Sequence, residues 1–541
     1  MKRRRLLPWI VACVLLATLT SLHATPTDFD ALTIAEINRA FDAGLLTSEK
    51  LVQLCLARIQ AYDRQGPSLH AVMALNPKAL DQARALDAER KAKGARSPLH
   101  GIPVILKDNY NTADLPTTGG SVLLEGSLPP ADAFVVRKLR AAGAIILAQA
   151  NMSEFASGGA HSSLGGQSLN PHDLTRTPSG SSGGTGVAIA AAYAPLGMGT
   201  DTGGSIRGPS TANGIVGLKP THGLLSRSGI IPLALSFDTG GPMARTVTDV
   251  AIALGVMTGV DADDPATRKS DGQFQTDYTK YLRPDALKGA HIGLARDFLG
   301  ADPDVDWVVE SSVAAMRAAG ATVIDVRYPK WLLDSRGDFY NAIRYPEFPA
   351  QIAEYLKTLG PSYPKTIDDL IERAERFRGT RADGAGPNPS RWVLFRREAD
   401  SGTLDDYRYT SVRDHGLPLV RATVEGLIAA QKLDAIVYPT SSRRPGLIAE
   451  TGGPPSGGAA TSATNIANLT GFPDLIVPAG FTGDNLPVGL SVFGRAFSEP
   501  TLLALGYGFE QATHARRLPI HAPARPGESI DVPASTRRTT R

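Results

Sequence analysis

The sequence predicts an α/β fold built around one large β-sheet. Apolar runs at 101–107 and 144–148 flank an amphipathic helix at 133–142, and this strand–helix–strand order is typical of a sheet covered by helices. Further strand-like apolar runs recur late in the chain, at 435–438, 475–477 and 488–493. Because strands are predicted at both ends with no obvious linker between them, we expect distant segments to join the same sheet.

The N-terminal part of the predicted domain, residues 25–98, is expected to be helical. The segment Thr33-Ile-Ala-Glu36 has the pattern of a capping box, which marks the start of a helix. Leu51, Leu54, Cys55 and Ile59 then follow a 3.6-residue period. Asn76-Pro77 interrupts this run before a second helix that is rich in alanine and leucine.

Alternating helices and strands follow. The helix at 133–142 ends at Gly143, which suits a C-cap, and residues 184–193 predict a helix followed by a strand at 196–200. A last helix is predicted at 500–513. Residues 331–392 are richer in charged and aromatic residues and predict a helical insert. This insert either packs on the sheet or forms a cap that selects the substrate.

The two ends of the chain are expected to lie outside the domain. Residues 1–24 have a basic start, an apolar stretch at 6–22 and a passable cleavage site, so they predict a signal peptide and export to the periplasm or the medium. An uncleaved membrane anchor is the alternative; after cleavage, no stable membrane insertion is expected. Residues 521–541 are rich in proline, arginine, serine and threonine and predict a disordered tail.

Composition excludes several classes of function. The 541 residues are 42% hydrophobic and 20% charged, with a net charge of +3, as in a soluble globular protein. No basic stripe with interleaved aromatic residues occurs, so nucleic-acid binding is not favoured. Outside the leader the only cysteine is Cys55, which leaves no intramolecular disulfide. The sequence lacks the common metal-ligand spacings, so we expect no metal and no cofactor.

Two glycine-rich segments carry serines in unusual settings. They are Pro-Ser-Gly-Ser-Ser-Gly-Gly-Thr-Gly at 178–186 and Gly-Thr-Asp-Thr-Gly-Gly-Ser-Ile-Arg-Gly at 199–208. The first lacks the lysine of a P-loop and the upstream apolar strand of a dinucleotide site. Glycines before a serine let successive main-chain amides point at one small volume, as an oxyanion hole requires.

A serine nucleophile also needs a base, because an unassisted hydroxyl reacts poorly. Lys107 is the candidate, since it ends the apolar run at 102–106. A lysine at the end of a buried strand is partly desolvated, which lowers its pKa and allows the neutral amine to accept a proton.

These segments, together with Gly217-Leu-Lys-Pro220 and Gly241-Pro-Met-Ala-Arg245, resemble the amidase signature family. The resemblance implies a single large domain over residues 25–520, with a mixed, twisted sheet covered by helices on both faces. It implies hydrolysis of a carboxamide through an acyl-enzyme, and the exported form looks most like bacterial peptide amidases. The alternatives are an esterase or aryl-acylamidase with the same residues, an amidotransferase component, and a catalytically silent binding protein.

The resemblance also implies residue roles. Ser205 would be the acylated nucleophile, Ser181 a bridging serine preceded by a cis peptide bond, and Lys107 the base. The main-chain amides of Thr202, Gly203, Gly204 and Ser205 would form the oxyanion hole. The substrate is expected to be a small amide or a short peptide amide, and the protein a monomer or homodimer.

The residues around these segments suggest further roles. Asp201 and Arg207 flank the predicted nucleophile with opposite charges, so we interpret them as a structural pair that holds the loop. Phe155 and Ala156 follow a strand end and are expected to line the substrate pocket. Packing around Phe155 is the alternative explanation for this segment.

Overall fold

The computed structural model describes residues 24–157, 159–377, 379, 386–448 and 462–534. Within these ranges the strands are β1 (Ala24–Asp28), β2 (Val72–Leu75), β3 (Pro103–Lys107), β4 (Ile145–Ala150), β5 (His161–Ser162), β6 (Gly166–Gln167), β7 (Leu196–Asp201), β8 (Val216–Lys219), β9 (Thr239–Ala244), β10 (His291–Ala295), β11 (Thr322–Val326), β12 (Ala435–Pro439), β13 (Asp474–Phe481), β14 (Pro487–Phe493) and β15 (Ser529–Pro533).

The α-helices of the same ranges surround these strands. They are α1 (Ile34–Asp42), α2 (Ser48–Arg58), α3 (Ala79–Lys93), α4 (Phe134–Ala141), α5 (Gly183–Ala190), α6 (Arg207–Ala212), α7 (Val247–Met257), α8 (Pro303–Ala318), α9 (Lys330–Lys357), α10 (Ile367–Arg376), α11 (Pro389–Ala399), α12 (Tyr407–Ser411), α13 (Leu417–Ala430), α14 (Asn465–Thr470) and α15 (Glu499–Thr513).

One mixed sheet of 11 strands forms the centre of the molecule, in the order β11-β10-β12-β14-β13-β8-β9-β7-β3-β4-β2. The pairs β10/β11, β10/β12, β3/β4 and β3/β7 are parallel, and the other neighbours are antiparallel. Strands from the first third of the chain thus share a sheet with strands from its last quarter. The predicted α/β class and the single large sheet flanked by helices are confirmed.

The strands β3, β4 and β7 lie side by side and are buried along their whole length. Continuous apolar runs suit such strands, because a sheet covered on both faces leaves no position exposed to water. β3 pairs in parallel with both β4 and β7, so the carboxyl ends of the three strands meet at one edge. Polar residues at the strand ends are therefore brought together there.

The N-terminal region contains strands that the sequence analysis missed, so the description of residues 25–98 as helices is wrong in part. β2 adds to the edge of the large sheet by pairing antiparallel with β4. Its four residues, Val-Met-Ala-Leu, are apolar but too few to be separated from the neighbouring helical pattern by periodicity.

The interpretation of residues 521–541 as a disordered tail is also wrong for residues 521–534. Strand β15 pairs antiparallel with β1, which joins the two ends of the domain. Ile530 and Val532 alternate with polar residues and are buried, a two-residue period that composition alone does not reveal. Just before β15, Glu528 accepts a buried hydrogen bond of 2.5 Å from Nη1 of Arg58.

The predicted insert at 331–392 is mainly helical where the structure describes it, since it contains most of α9, all of α10 and the start of α11. The predicted signal peptide at 1–24 lies outside the described residues except for Ala24, which begins β1. Among the described residues, none of the helices combines the length and the apolar character that a membrane span requires.

Candidate active site

Lys107 is the last residue of β3, and its side chain is completely buried. Its Nζ donates to Oγ of Ser181 at 2.7 Å and to Oγ1 of Thr200 at 2.7 Å. Asn109 donates to the same Thr200 oxygen at 3.0 Å. The end of β3 and the end of β7 therefore hold the amine against the serine-rich segment.

The environment of Lys107 favours the neutral amine. Burial lowers the pKa of Lys107 to about 7, although the nearby carboxylates of Asp201 and Asp238 act in the opposite direction. A lysine with an ordinary pKa near 10.4 would be protonated at neutral pH and could not accept a proton. The predicted desolvation of this side chain is thus present in the structure, and Lys107 can act as a base near pH 7.

The segment 178–186 brings Ser181 into contact with Lys107. The peptide bond between Gly180 and Ser181 is cis, as the resemblance implies. The neighbouring Ser182 fixes the segment against the second glycine-rich loop, because its amide donates to the carbonyl of Ser205 at 3.1 Å and its Oγ donates to the carbonyl of Thr200 at 3.2 Å. Ser181 is buried, whereas Ser205 is partly exposed to solvent. Within the described residues, the Ser205 hydroxyl has no hydrogen-bond partner.

Asp201 and Arg207 form the predicted structural pair on either side of Ser205. Nε and Nη2 of Arg207 donate to the two carboxylate oxygens of Asp201 at 3.0 and 2.9 Å, and both side chains are fully buried. Nη1 of Arg207 also donates to Oδ2 of Asp474 at 2.9 Å, which ties the loop to β13. Burial alone would raise the pKa of the Asp201 carboxyl, but the Arg207 guanidinium holds this pKa well below its usual range.

Replacing Asp201 by asparagine is expected to destabilise the fold. Removing one partner of a buried ion pair leaves an incompletely compensated charge, which costs about 3–5 kcal/mol of unfolding free energy. Urea unfolding followed by circular dichroism measures the change. The control is Asp325→Asn, which breaks an ion pair between Arg296 and a carboxylate that is 58% exposed, and should cost less than about 1 kcal/mol. Equal losses in the two variants would contradict the role assigned to Asp201.

The backbone of the predicted oxyanion hole differs from the expectation at one position. The amide of Gly204 donates to Oδ1 of Asp201 at 2.9 Å, so the assignment of Gly204 as an oxyanion donor is wrong for this structure. Its φ of +126° explains why glycine is needed there, because side chains rarely adopt this backbone conformation. Among the described residues, the amides of Thr202, Gly203 and Ser205 have no hydrogen-bond acceptor, and these three remain the candidate donors.

The side chain of Thr202 has a structural contact of its own. Its Oγ1 donates to Oδ1 of Asp238 at 2.5 Å. Asp238 also accepts from the amides of Leu233 and Ala234, at 2.8 and 3.1 Å. Burial raises the pKa of Asp238 to about 6, while these hydrogen bonds act to lower it.

A narrow cavity lies beside these groups. Its lining combines polar residues from the strand ends with apolar residues from the segment that precedes β9: Asn109, Thr200, Thr202, Asp238, Ile230, Ile231, Leu233 and Leu235. Ala156 and Arg227 also line it. The predicted contact between Ala156 and the substrate stays a prediction. An apolar cleft with a few convergent polar groups is the usual form of a small-molecule site.

Phe155 does not line this cavity, so its assignment as a substrate contact is wrong for this structure. It is 1% exposed and packs in a hydrophobic cluster with Phe348 and Phe395, at ring-centroid distances of 6.3 and 5.4 Å. Phe155 and Ala156 both have positive φ, and this turn places one side chain under the insert and the other at the cavity. Packing around Phe155, the alternative explanation, is the one that the structure supports.

Thr200 and Asp238 are site residues that sequence reasoning missed. A signal for Thr200 was present, because it ends a strand predicted to lie in the same sheet as the strand that ends at Lys107. Asp238 gave no comparable signal. It lies more than 30 residues after Thr202, in a segment that has no periodic pattern.

Comparisons with known proteins find a matching family and similar chains. Residues 50–503 match the Amidase family. A glutamyl-tRNA(Gln) amidotransferase subunit from Chloroflexus aggregans is 36% identical over 503 residues, which are 91% of this chain and 99% of that protein.

Solved structures are also similar. The native peptide amidase of Stenotrophomonas maltophilia matches with a TM-score of 0.81 and 37% identity, over 91% of this chain and 99% of that one. The corresponding glutamyl-tRNA(Gln) amidotransferase subunit from Thermotoga maritima matches with a TM-score of 0.70 and 28% identity, over 91% and 98% of the two chains.

Proposed function

The chain belongs to the amidase family and is an amide-hydrolysing enzyme, and we propose that it cleaves primary carboxamides, including C-terminal peptide amides, through an acyl-enzyme on Ser205. The observation that carries this proposal is the contact between the buried Lys107 amine and the Ser181 hydroxyl. Ser205, on the neighbouring loop, has a main-chain amide without an acceptor among the described residues, as has Gly203. A base with a pKa of about 7 suits catalysis near neutral pH.

In the proposed acylation step, Oγ of Ser205 attacks the carbonyl carbon of the amide. Its proton passes to Oγ of Ser181, and the proton of Ser181 passes to the neutral amine of Lys107. The negative charge that develops on the carbonyl oxygen is stabilised by main-chain amides from the set Thr202, Gly203 and Ser205. When the tetrahedral intermediate collapses, the same relay runs in reverse, so that the leaving nitrogen takes a proton from Ser181 and departs as ammonia.

In the proposed deacylation step, water takes the place of the leaving nitrogen. Ser181 accepts a proton from this water and again transfers its own proton to Lys107. The hydroxide attacks the acyl carbon, the bond to Oγ of Ser205 breaks, and the carboxylic acid leaves as the serine regains its proton. Thr200 and Asn109 keep the lysine amine in line with Ser181 during both steps.

A second candidate is a glutamine-hydrolysing component of an amidotransferase, which would need a partner protein. The 36% identity to the Chloroflexus aggregans amidotransferase protein favours it. We favour the peptide amide substrate because the structural match to the Stenotrophomonas maltophilia peptide amidase, at 0.81, exceeds the 0.70 match to the Thermotoga maritima amidotransferase protein. The predicted export signal also suits a free-standing hydrolase.

Hydrolysis of a panel of substrates tests this proposal, with ammonia measured for the primary amides and glutamine, and aniline measured for the anilides. The panel contains N-acetylated amino acid amides, dipeptide amides, glutamine and the corresponding anilides. We expect ammonia from the primary amides, with glutamine at least about tenfold slower in kcat/KM. Glutamine as the preferred substrate would instead support the amidotransferase component, and preference for anilides would support an aryl-acylamidase.

We also propose that the protein is exported and that its mature form begins near Thr25. The basic and apolar regions of the leader and the cleavage site occur in the order that signal peptides require. Mass spectrometry of the N-terminal peptide of protein from the native cells measures the start. An intact segment 1–24 on membrane-bound protein would support an anchor, and the same segment on protein in the cytoplasm would contradict export.

A further inference from the structure

The segment Leu233–Asp238, here called the wall segment, separates the narrow cavity from the helical insert. Leu233, Leu235 and Asp238 line the cavity. Asp238 attaches the wall segment to the catalytic loop, because it accepts from Oγ1 of Thr202 and from the amides of Leu233 and Ala234. One end of the wall is thus held by the loop that carries Ser205.

The other side of the wall segment is held by helix α9 of the insert. Oε2 of Glu347 accepts from the amide of Ser236 at 3.0 Å, and Oε1 of the same carboxylate accepts from the Ser236 hydroxyl. Oε1 of Gln351, one turn later on the helix, accepts from the amide of Leu235 at 2.8 Å. The Tyr409 hydroxyl donates to Oε1 of Glu347 at 2.8 Å, which fixes the carboxylate itself. Glu347 is 1% exposed.

The same helix also contacts the opposite side of the cavity. Nη2 of Arg344 donates at 2.9 Å to Oγ of Ser157, which follows the cavity-lining Ala156. One turn earlier, Tyr340 stacks on Phe237 of the wall segment, with ring centroids 5.2 Å apart. Helix α9 therefore contacts both sides of the cavity. It packs on the domain and also borders the candidate site.

The cavity between these sides is narrow. Its volume is about 10 Å³, which is the space of a single water-sized group. The leaving group of a primary amide is ammonia, so any larger substituent that approaches this cavity belongs to the acyl part of the substrate. A bulky acyl substituent needs a wider cavity than this. The hydrogen bonds to Glu347 and Gln351 oppose any movement of the wall segment away from Ala156 that would widen it.

We propose that Glu347 and Gln351 are positioning residues that set the upper size limit of the acyl group by holding the wall segment closed. The inference rests on the proposed function, because it assigns the acyl group to this cavity. Glu347 has the larger share, since its carboxylate accepts two hydrogen bonds from Ser236 and Gln351 accepts one from Leu235. The hydrogen bonds that Glu347 and Gln351 accept from the wall segment are here called the clamp. The consequence of the clamp is selectivity for amides with small acyl substituents, and weakening it should reduce that selectivity.

Selectivity between two matched substrates tests the inference. The kcat/KM for N-acetylglycine amide and N-acetylphenylalanine amide is measured for the wild type, Glu347→Ala and Gln351→Ala. We expect the wild type to favour the glycine amide. Glu347→Ala should reduce that preference about tenfold, through a lower KM for the phenylalanine amide, and Gln351→Ala should shift it in the same direction by less. The control is Glu354→Ala on the same helix, which removes an exposed ion pair with Lys357 and should leave the ratio unchanged.

The rate of covalent labelling of the serine tests the size limit without any amide being hydrolysed. Fluorophosphonates with a methyl or a phenyl substituent on phosphorus label the serine at a rate that depends on the space beside it. Glu347→Ala should increase labelling by the phenyl probe relative to the methyl probe about tenfold. If Glu347→Ala does not fold, Tyr409→Phe, which removes one hydroxyl from the clamp, and Gln351→Ala should shift the ratio in the same direction by less.

The outcomes separate the two proposals. Unchanged ratios in all the clamp variants, or equal losses on both substrates, would overturn the size-limiting role while leaving the amidase proposal intact. A wild type that is labelled but releases no ammonia from either amide would overturn the proposed function, and the labelling ratio would then decide the role of the clamp. Absence of both labelling and turnover would overturn both proposals.

Discussion

Replacing Ser205 by alanine is expected to lower kcat for amide hydrolysis by about 10⁶-fold, the size of loss that follows removal of the nucleophile in a serine hydrolase. The substitution exchanges a hydroxyl for a hydrogen at a partly exposed position, so the fold should be retained. Thermal unfolding and ammonia release are measured on the same preparation. The control is Ser179→Ala in the neighbouring glycine-rich segment, which lies outside the relay and should keep activity within about threefold.

Substantial amide turnover by Ser205→Ala, together with an unchanged Tm, would exclude Ser205 as the nucleophile. A large fall in Tm would instead show that Ser205 has a structural role. The first result would make Ser181, which accepts a hydrogen bond from Lys107, the alternative nucleophile.

Replacing Lys107 by alanine should lower amide turnover by about 10²–10⁴-fold, the usual range of general acid–base assistance. The loss should be smaller for a matched ester, because an alkoxide or phenoxide is a better leaving group than an amide nitrogen and depends less on a delivered proton. Comparing an amide and an ester with the same acyl group isolates this effect. Equal losses on the two substrates would make Lys107 a positioning residue.

The pH profile gives an independent test of the same lysine. Because burial lowers the pKa of Lys107 to about 7, the amine is protonated and inactive below that pH and neutral above it. The kcat/KM of the wild type should therefore rise with pH through about 7 and level off above about 8. Lys107→Ala should lose this dependence.

Lys219 offers a matched control for Lys107. It is also fully buried, burial also lowers its pKa to about 7, and its Nζ donates to the main-chain carbonyls of Pro220 and Phe472. Lys219→Met removes a buried lysine without touching the relay. It should keep the rise in kcat/KM near pH 7, whereas loss of that rise would show that the titrating group is not Lys107.

The sequence predicts which residues lie at the ends of the strands, but not which of these residues contact each other. Lys107 could be placed at the end of a buried strand because an apolar run stops there, and its desolvation follows from burial alone. Its second partner, Thr200, depends on β7 lying beside β3, which is a pairing between residues about 90 positions apart. Such pairings are set by the whole sheet and leave no local pattern.

Gly204, Phe155 and β15 differ from the sequence expectation because contacts between distant segments, or a conformation without a local pattern, determine their roles. The position of Gly204 before the serine predicts an oxyanion donor, but its amide donates to the carboxylate of Asp201. The conformation of the loop determines this contact. The position of Phe155 after a strand end predicts a pocket residue, yet Phe348 and Phe395, far along the chain, pack against it and bury it. β15 was missed because polar composition around it concealed the alternation of Ile530 and Val532.

The measurement that tests the central account most directly is the mass of the enzyme during turnover of an activated ester. Ester acylation is fast relative to deacylation, so rapid acid quenching should trap the acyl-enzyme. The account predicts one acyl group, located on Ser205 by peptide mapping, and none on the Ser205→Ala variant. An acyl group on another residue, or steady turnover of the ester with no acyl-enzyme at any quench time, would contradict it.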